Sequence, residues 1–151
     1  MSGANDFVIL ATRDYTLCCK VEEDFPDEYA VTAACFHIQQ AIEKQLKALI
    51  LSRGETPEFT HNITKLAKRC DDLGIELPEM LDDISDTLTL WESSVKNDPF
   101  IVFSEKKYSK AKTVYSDLKI QISNMFYGFK NDENFTDEIE DGLSDGLHPT
   151  M

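Results

Sequence analysis

No run of apolar residues in this chain of 151 approaches the roughly 20 that a membrane-spanning helix requires. The N-terminus also lacks a basic stretch followed by an apolar one, the pattern of a secretory signal. A cytoplasmic protein without membrane contact is therefore expected. Cysteine is sparse. No two of Cys18, Cys19, Cys35 and Cys70 show the two-residue gap of a zinc knuckle or a redox pair, so reduced thiols in or beside a core are expected. There is no glycine-rich phosphate loop and no His-x-x-x-His pair, which removes P-loop and helical zinc chemistry. No cofactor and no metal is expected. Alternation by two, the mark of a strand, is also scarce.

Negative charge is abundant. Twenty-eight acidic residues face 15 basic ones, a formal net charge of −13. Residues 130–151 set Lys130 against Asp132, Glu133, Asp137, Glu138, Glu140, Asp141 and Asp145, a net of −6 that leaves −7 on residues 1–129. An acidic body discourages broad, non-specific association with nucleic acid, but a local basic groove is compatible with it. High charge and few large apolar residues predict a loosely held tail over 130–151. A short sixth helix near Asn134 to Glu140 is the alternative. The domain reading is a helical bundle over 1–129 followed by an acidic, flexible C-terminal tail over 130–151.

Apolar spacing by three and four predicts five helices. The first covers about Asn5 to Val21, with Ala4, Val8, Ala11, Tyr15 and Cys18 in one stripe and Glu22-Glu23-Asp24 with Pro26 at its end. The second covers Asp27 to Arg53 and stops at Gly54. The third covers about Asn62 to Asp72, capped by Thr60 or Asn62, with Ile63, Leu66, Ala67 and Cys70 inward. The fourth runs from Glu79 to about Val95. The fifth starts after Ser104 and ends near Gly128, with Tyr108, Ala111, Tyr115, Leu118, Ile122, Met125 and Phe129 as an unbroken seam. The fold class is all-α, an up-and-down bundle of about five helices.

The second helix is the most informative. At 100° per residue, His37, Gln40, Glu43, Lys44 and Lys47 fall on one arc roughly 120° wide, and apolar residues cover most of the rest. A helix so widely apolar belongs in the middle of a bundle. Its polar seam then needs partners, water or a ligand.

The order of features resembles the HEPN family of small helical bundles. The resemblance lies in Ala11-Thr-Arg-Asp14-Tyr15, an acidic break, then Gln40-Ala-Ile-Glu43-Lys44-Gln-Leu-Lys47-Ala48-Leu49. Arg53-Gly54 and a loop holding Thr60-His61 follow, and the match covers roughly Asn5 to Cys70. It implies a homodimeric bundle, often paired with a minimal nucleotidyltransferase in two-component complexes, some of toxin–antitoxin type. Some relatives look like the nucleotide-binding half of that pair; others are ribonuclease toxins. The ribonuclease branch carries an arginine followed four to six residues later by histidine, late in the bundle. Here the arginines are Arg13, Arg53 and Arg69 and the histidines His37, His61 and His148, so that motif is missing and no catalytic residue is assigned.

Gln40, Lys44, Lys47 and His61 are the candidate ligand-binding residues. Lysines offer phosphate a point charge, and an amide reads a base or sugar. His61, just before a helix, would meet an anion also drawn by that helix's free amides. The competing reading makes the seam an exposed face braced by Glu43 and Lys47 at i, i+4, with the amide bonding a neighbouring helix. Lys65, Lys68 and Arg69, and Lys106, Lys107, Lys110 and Lys112 around Tyr108, form two further basic clusters, read either as solvated faces or as contacts for RNA or an acidic partner. The resulting expectation is a non-catalytic module for a nucleotide or RNA, or for a nucleotidyltransferase partner. The alternatives are a ribonuclease toxin with an atypical site and a scaffold that oligomerises through its fifth helix.

Overall fold

The computed structural model describes residues 3–24, 27–98 and 103–128. Within these lie five helices and no strand: α1 (Ala4–Asp24), α2 (Glu28–Ser52), α3 (Ile63–Asp72), α4 (Glu79–Asn97) and α5 (Glu105–Gly128). The expected all-α, five-helix bundle is what forms. No helix among the described residues is long and apolar enough to cross a membrane. The end of the predicted seam at Phe129, the acidic tail and its alternative sixth helix lie outside the described residues.

Helix α2 is the axis and packs against each of the other four. Asp27 starts it by accepting the Ala30 N–H at 2.9 Å, and Ala34, Cys35, Ile38, Ala41, Ile42, Leu46, Leu49 and Ile50 are fully buried along it. Each buried leucine or isoleucine contributes roughly 1.5–3 kcal/mol. Cys18, Cys35 and Cys70 are buried, Cys19 is exposed, and all four are free. Burial raises the Cys18 thiol to about 11 and Cys70 to about 12, so neither is a ready thiolate.

Helix α1 outlasts its predicted end by a turn. Glu22 stays helical because α5 holds it: the Tyr108 hydroxyl donates to it, and the Lys112 ammonium lies 3.2 Å from its Oε2. Lys20 and Asp24 add a pair at i, i+4. Side chains fill the seam between these helices, with the Tyr15 and Tyr115 rings stacked at 4.1 Å.

The α5 seam does not remain free. Tyr108, Ala111, Tyr115, Leu118 and Ile122 are all buried within this one chain. An oligomer built on that seam would have to unpack the core. Tyr108 is likewise unavailable as an exposed stacking ring.

Candidate functional site

Four α2 side chains rise from the core toward one edge. His37, Gln40, Lys44 and Lys47 stand at i, i+3, i+7 and i+10, a line about 15 Å long on one helical face. All four are half-buried. The face is therefore neither fully exposed nor sealed.

Both lysines are already partnered. Lys44 pairs with Asp14 of α1. Lys47 Nζ lies 3.2 Å from Glu43 Oε2, with the two side chains only 12% and 4% exposed. Two ammonium groups and two carboxylates leave this strip neutral, so a phosphate would have to compete with Asp14 for Lys44. Gln40 donates to Gln39 Oε1 at 2.7 Å rather than to a neighbouring helix. Gln39 in turn donates to the His61 carbonyl at 3.3 Å.

His61 joins the strip from the loop between α2 and α3. Its Nδ1 lies 2.8 Å from Glu43 Oε1. An ionised carboxylate only accepts, so with Glu43 charged beside Lys47 it is Nδ1 that carries the proton. Among the described residues Nε2 has no protein partner, and the side chain is 57% exposed. Glu43 thus fixes the tautomer of a surface histidine, as a carboxylate does behind a metal-bound or catalytic imidazole.

The amides at the start of α3, expected to help draw an anion to His61, are already engaged. The Ile63 and Thr64 amides donate to Thr89 Oγ1 of α4 at 3.0 and 3.4 Å, and the Lys65 amide donates to the Asn62 side chain at 2.9 Å. Those donors are spent on the cap and on α4. His61 turns toward α2 instead. Glu58 and His61 have the Glu-x-x-His spacing of a diiron half-site, but they lie on a loop, and Glu58 pairs with Arg69.

At the other end of the line, burial pushes the His37 imidazole below its ordinary range. Asp14 opposes that shift and Lys44 reinforces it. Of the remaining cations, Lys112 is held by Glu22 and sits 4.7 Å over the Tyr108 ring. A cavity of about 580 Å³ lined by Ser52, Arg53, Gln121, Asn124, Met125 and Phe126 contains none of the four candidate residues.

The structure therefore brings Gln40, Lys44, Lys47 and His61 to one edge and adds groups that the sequence reading did not single out as site residues. Asp14 entered only as part of the Ala11-Thr-Arg-Asp14-Tyr15 segment of the resemblance, with no site role of its own. Glu43 was visible in the polar arc, but not as its buried centre. Phe59, whose ring centroid lies 6.0 Å from Lys47 Nζ, carried no periodic signal because it sits in a loop.

The model of the HEPN domain matches residues 19–119, a span that holds α2, α3 and α4 whole and all four candidate residues, while Asp14 lies before it. No curated protein and no solved structure matches the chain.

Proposed function

Because the chain belongs to the HEPN domain family, we propose that it is a non-catalytic binding module that takes a nucleotide or an RNA end along the α2 strip. In this reading it acts as a homodimer and as the partner of a nucleotidyltransferase, in a pair of toxin–antitoxin type. One observation carries the ligand half of the proposal. A line of half-buried polar groups runs from His37 to Lys47 on an otherwise buried helix, and it ends at an exposed, carboxylate-anchored His61. Such a strip has directional donors and an open edge, which suits a ligand that brings both a charge and a polar ring.

The reading also fits what the sequence leaves out, since no arginine or histidine occurs between residues 70 and 147. The arginine-to-histidine pair of the ribonuclease branch therefore has no counterpart in α4 or α5. Calorimetry with adenosine 5′-monophosphate and a 5′-phosphorylated oligoadenylate tests the proposal. Wild type should bind, and Lys44→Gln should weaken binding roughly tenfold or more, the usual scale for a lost charged hydrogen bond. Absence of binding by wild type would remove the ligand half.

The Glu43–His61 pair supports a second reading. An oriented imidazole with a free Nε2 is a competent proton acceptor, and RNA supplies its own nucleophile in the 2′-hydroxyl. In that reading the protein is a ribonuclease with an atypical site. Expression of wild type should then arrest growth, and His61→Ala should relieve it. A harmless wild type that leaves cellular RNA intact disposes of this alternative.

A further inference from the structure

Phe59 is the most exposed large apolar side chain among the described residues, open to solvent over its whole surface. The loop that carries it is fastened on both sides. Glu58 pairs with Arg69 of α3 before it, and His61 is tied to Glu43 and to Gln39 after it. Between them the Thr60 amide donates to the Glu58 carbonyl at 3.0 Å, which tightens the apex. The ring is thus presented to water by a braced turn. It forgoes the stabilisation that burial would give it.

The surroundings of the ring decide what it suits. Lys47 Nζ lies 6.0 Å from the ring centroid while it pairs with the buried Glu43 carboxylate, and His61 stands two residues along. Among the described residues the other exposed large apolar side chains are Leu10 and Leu17 on α1, Leu90 on α4 and Ile120 on α5; none lies on this loop or on α3. The centre of a protein–protein interface gathers apolar groups and sheds charge. Driving this ring into an apolar pocket would take Lys47 and Glu43 further out of water at the same time. A nucleobase makes no such demand. It offers a flat π face to the ring and polar edges to its neighbours, which is how single-stranded nucleic acid is held without sequence preference.

We propose that Phe59 is the stacking platform for a nucleobase of a nucleotide or single-stranded RNA whose phosphate lies toward Lys47 and Lys44. The inference rests on the binding reading above and adds the recognition of the base. Phe59 holds the base by its face, His61 Nε2 is within reach of a polar base edge, and the α2 lysines take the charge. Stacking is indifferent to base identity, so affinity should follow stacking strength, purines above pyrimidines.

Calorimetry with 5′-phosphorylated oligoadenylate, using Phe59→Ala, Phe59→Leu, Phe59→Trp and Lys44→Gln, separates the possibilities. The expected result is binding weakened about 5- to 100-fold in Phe59→Ala and in Phe59→Leu, with Phe59→Trp close to wild type. Melting temperatures should not move, because the ring touches no core. Binding retained by Phe59→Ala but lost by Lys44→Gln would overturn the stacking platform and leave the binding reading standing. Full binding by Phe59→Leu would overturn it too, since an aliphatic contact would then suffice. A wild-type dimer turned monomeric by Phe59→Ala in sedimentation would reassign the ring to a contact between copies. No binding by wild type would overturn both the platform and the reading beneath it.

Discussion

At the scale of single residues, Glu43 is the group on which the site turns. One oxygen serves Lys47 of its own helix and the other serves His61 of the following loop, and the side chain is 4% exposed. Removing it strands a nearly buried ammonium and frees the loop. Glu43→Ala should therefore lower unfolding stability in urea by about 3 kcal/mol, the usual cost of breaking a buried pair on one side. Glu43→Gln should cost less, because its amide oxygen still accepts from His61. Equal, negligible losses for both would show that the pair carries no stability. His37 makes a separate prediction about pH. Its folded-state pKa lies below the ordinary value near 6.5, so the unfolded chain takes up the proton first. Its contribution is fully present above pH 6.5 and is lost as pH falls through the lower folded value. His37→Gln should flatten the drop in melting temperature between pH 7 and 5 relative to wild type, and parallel curves would contradict this. The polar arc of α2 made Gln40, Lys44 and Lys47 legible in the sequence, with His37 and Glu43 beside them. Periodicity names the face of a helix but not what arrives from elsewhere, so Asp14 and Phe59 went unseen as parts of the site, and His61 was named from the resemblance and its place before a helix.

At the scale of elements, the boundaries follow local chemistry, and the departures from expectation come from contacts distant in sequence. Of the two caps offered for α3, Asn62 is the one used, accepting the Lys65 amide, while Thr60 Oγ1 accepts the Asn62 amide at 3.1 Å in the loop before it. Gly54 and Gly74, at φ +76° and +77°, close α2 and α3 in the left-handed conformation that glycine adopts without strain. The acidic run Glu22-Glu23-Asp24 read as a helix stop only because Tyr108 and Lys112, the partners of Glu22, lie 86 and 90 residues further along the chain. The α5 seam, buried at every position named through Ile122 and joined by an unnamed Val114, could not reveal whether its partner was the same chain or another. Asn62→Ala removes a cap that also positions the Phe59 loop, and it should cost about 1 kcal/mol in unfolding stability. Because His61 is held independently by Glu43, ligand affinity should change far less than stability. A large loss of affinity with little loss of stability would mean that the cap, not Glu43, sets the loop.

At the scale of the whole molecule the governing quantity is charge. A net of −13 repels any anionic ligand, and the α2 strip, neutral by its own pairing, does little to offset that field. More than half of the excess lies beyond Lys130, the last lysine or arginine, where seven carboxylates meet neither. Deleting residues 131–151 removes those seven and changes the net charge from −13 to −6. If the tail acts only through its field, the truncated chain should bind 5′-phosphorylated oligoadenylate on the order of 3- to 10-fold more tightly at about 20 mM salt, with the difference gone by about 300 mM, where the Debye length falls well below 10 Å. If the tail instead occupies the strip as a competing polyanion, part of the gain should survive at high salt, because contact pairs are screened less than distant charges. A truncated chain that binds no better at low salt would show that neither mechanism operates, and would place control of affinity in the Asp14–Lys44 and Glu43–Lys47 pairs alone.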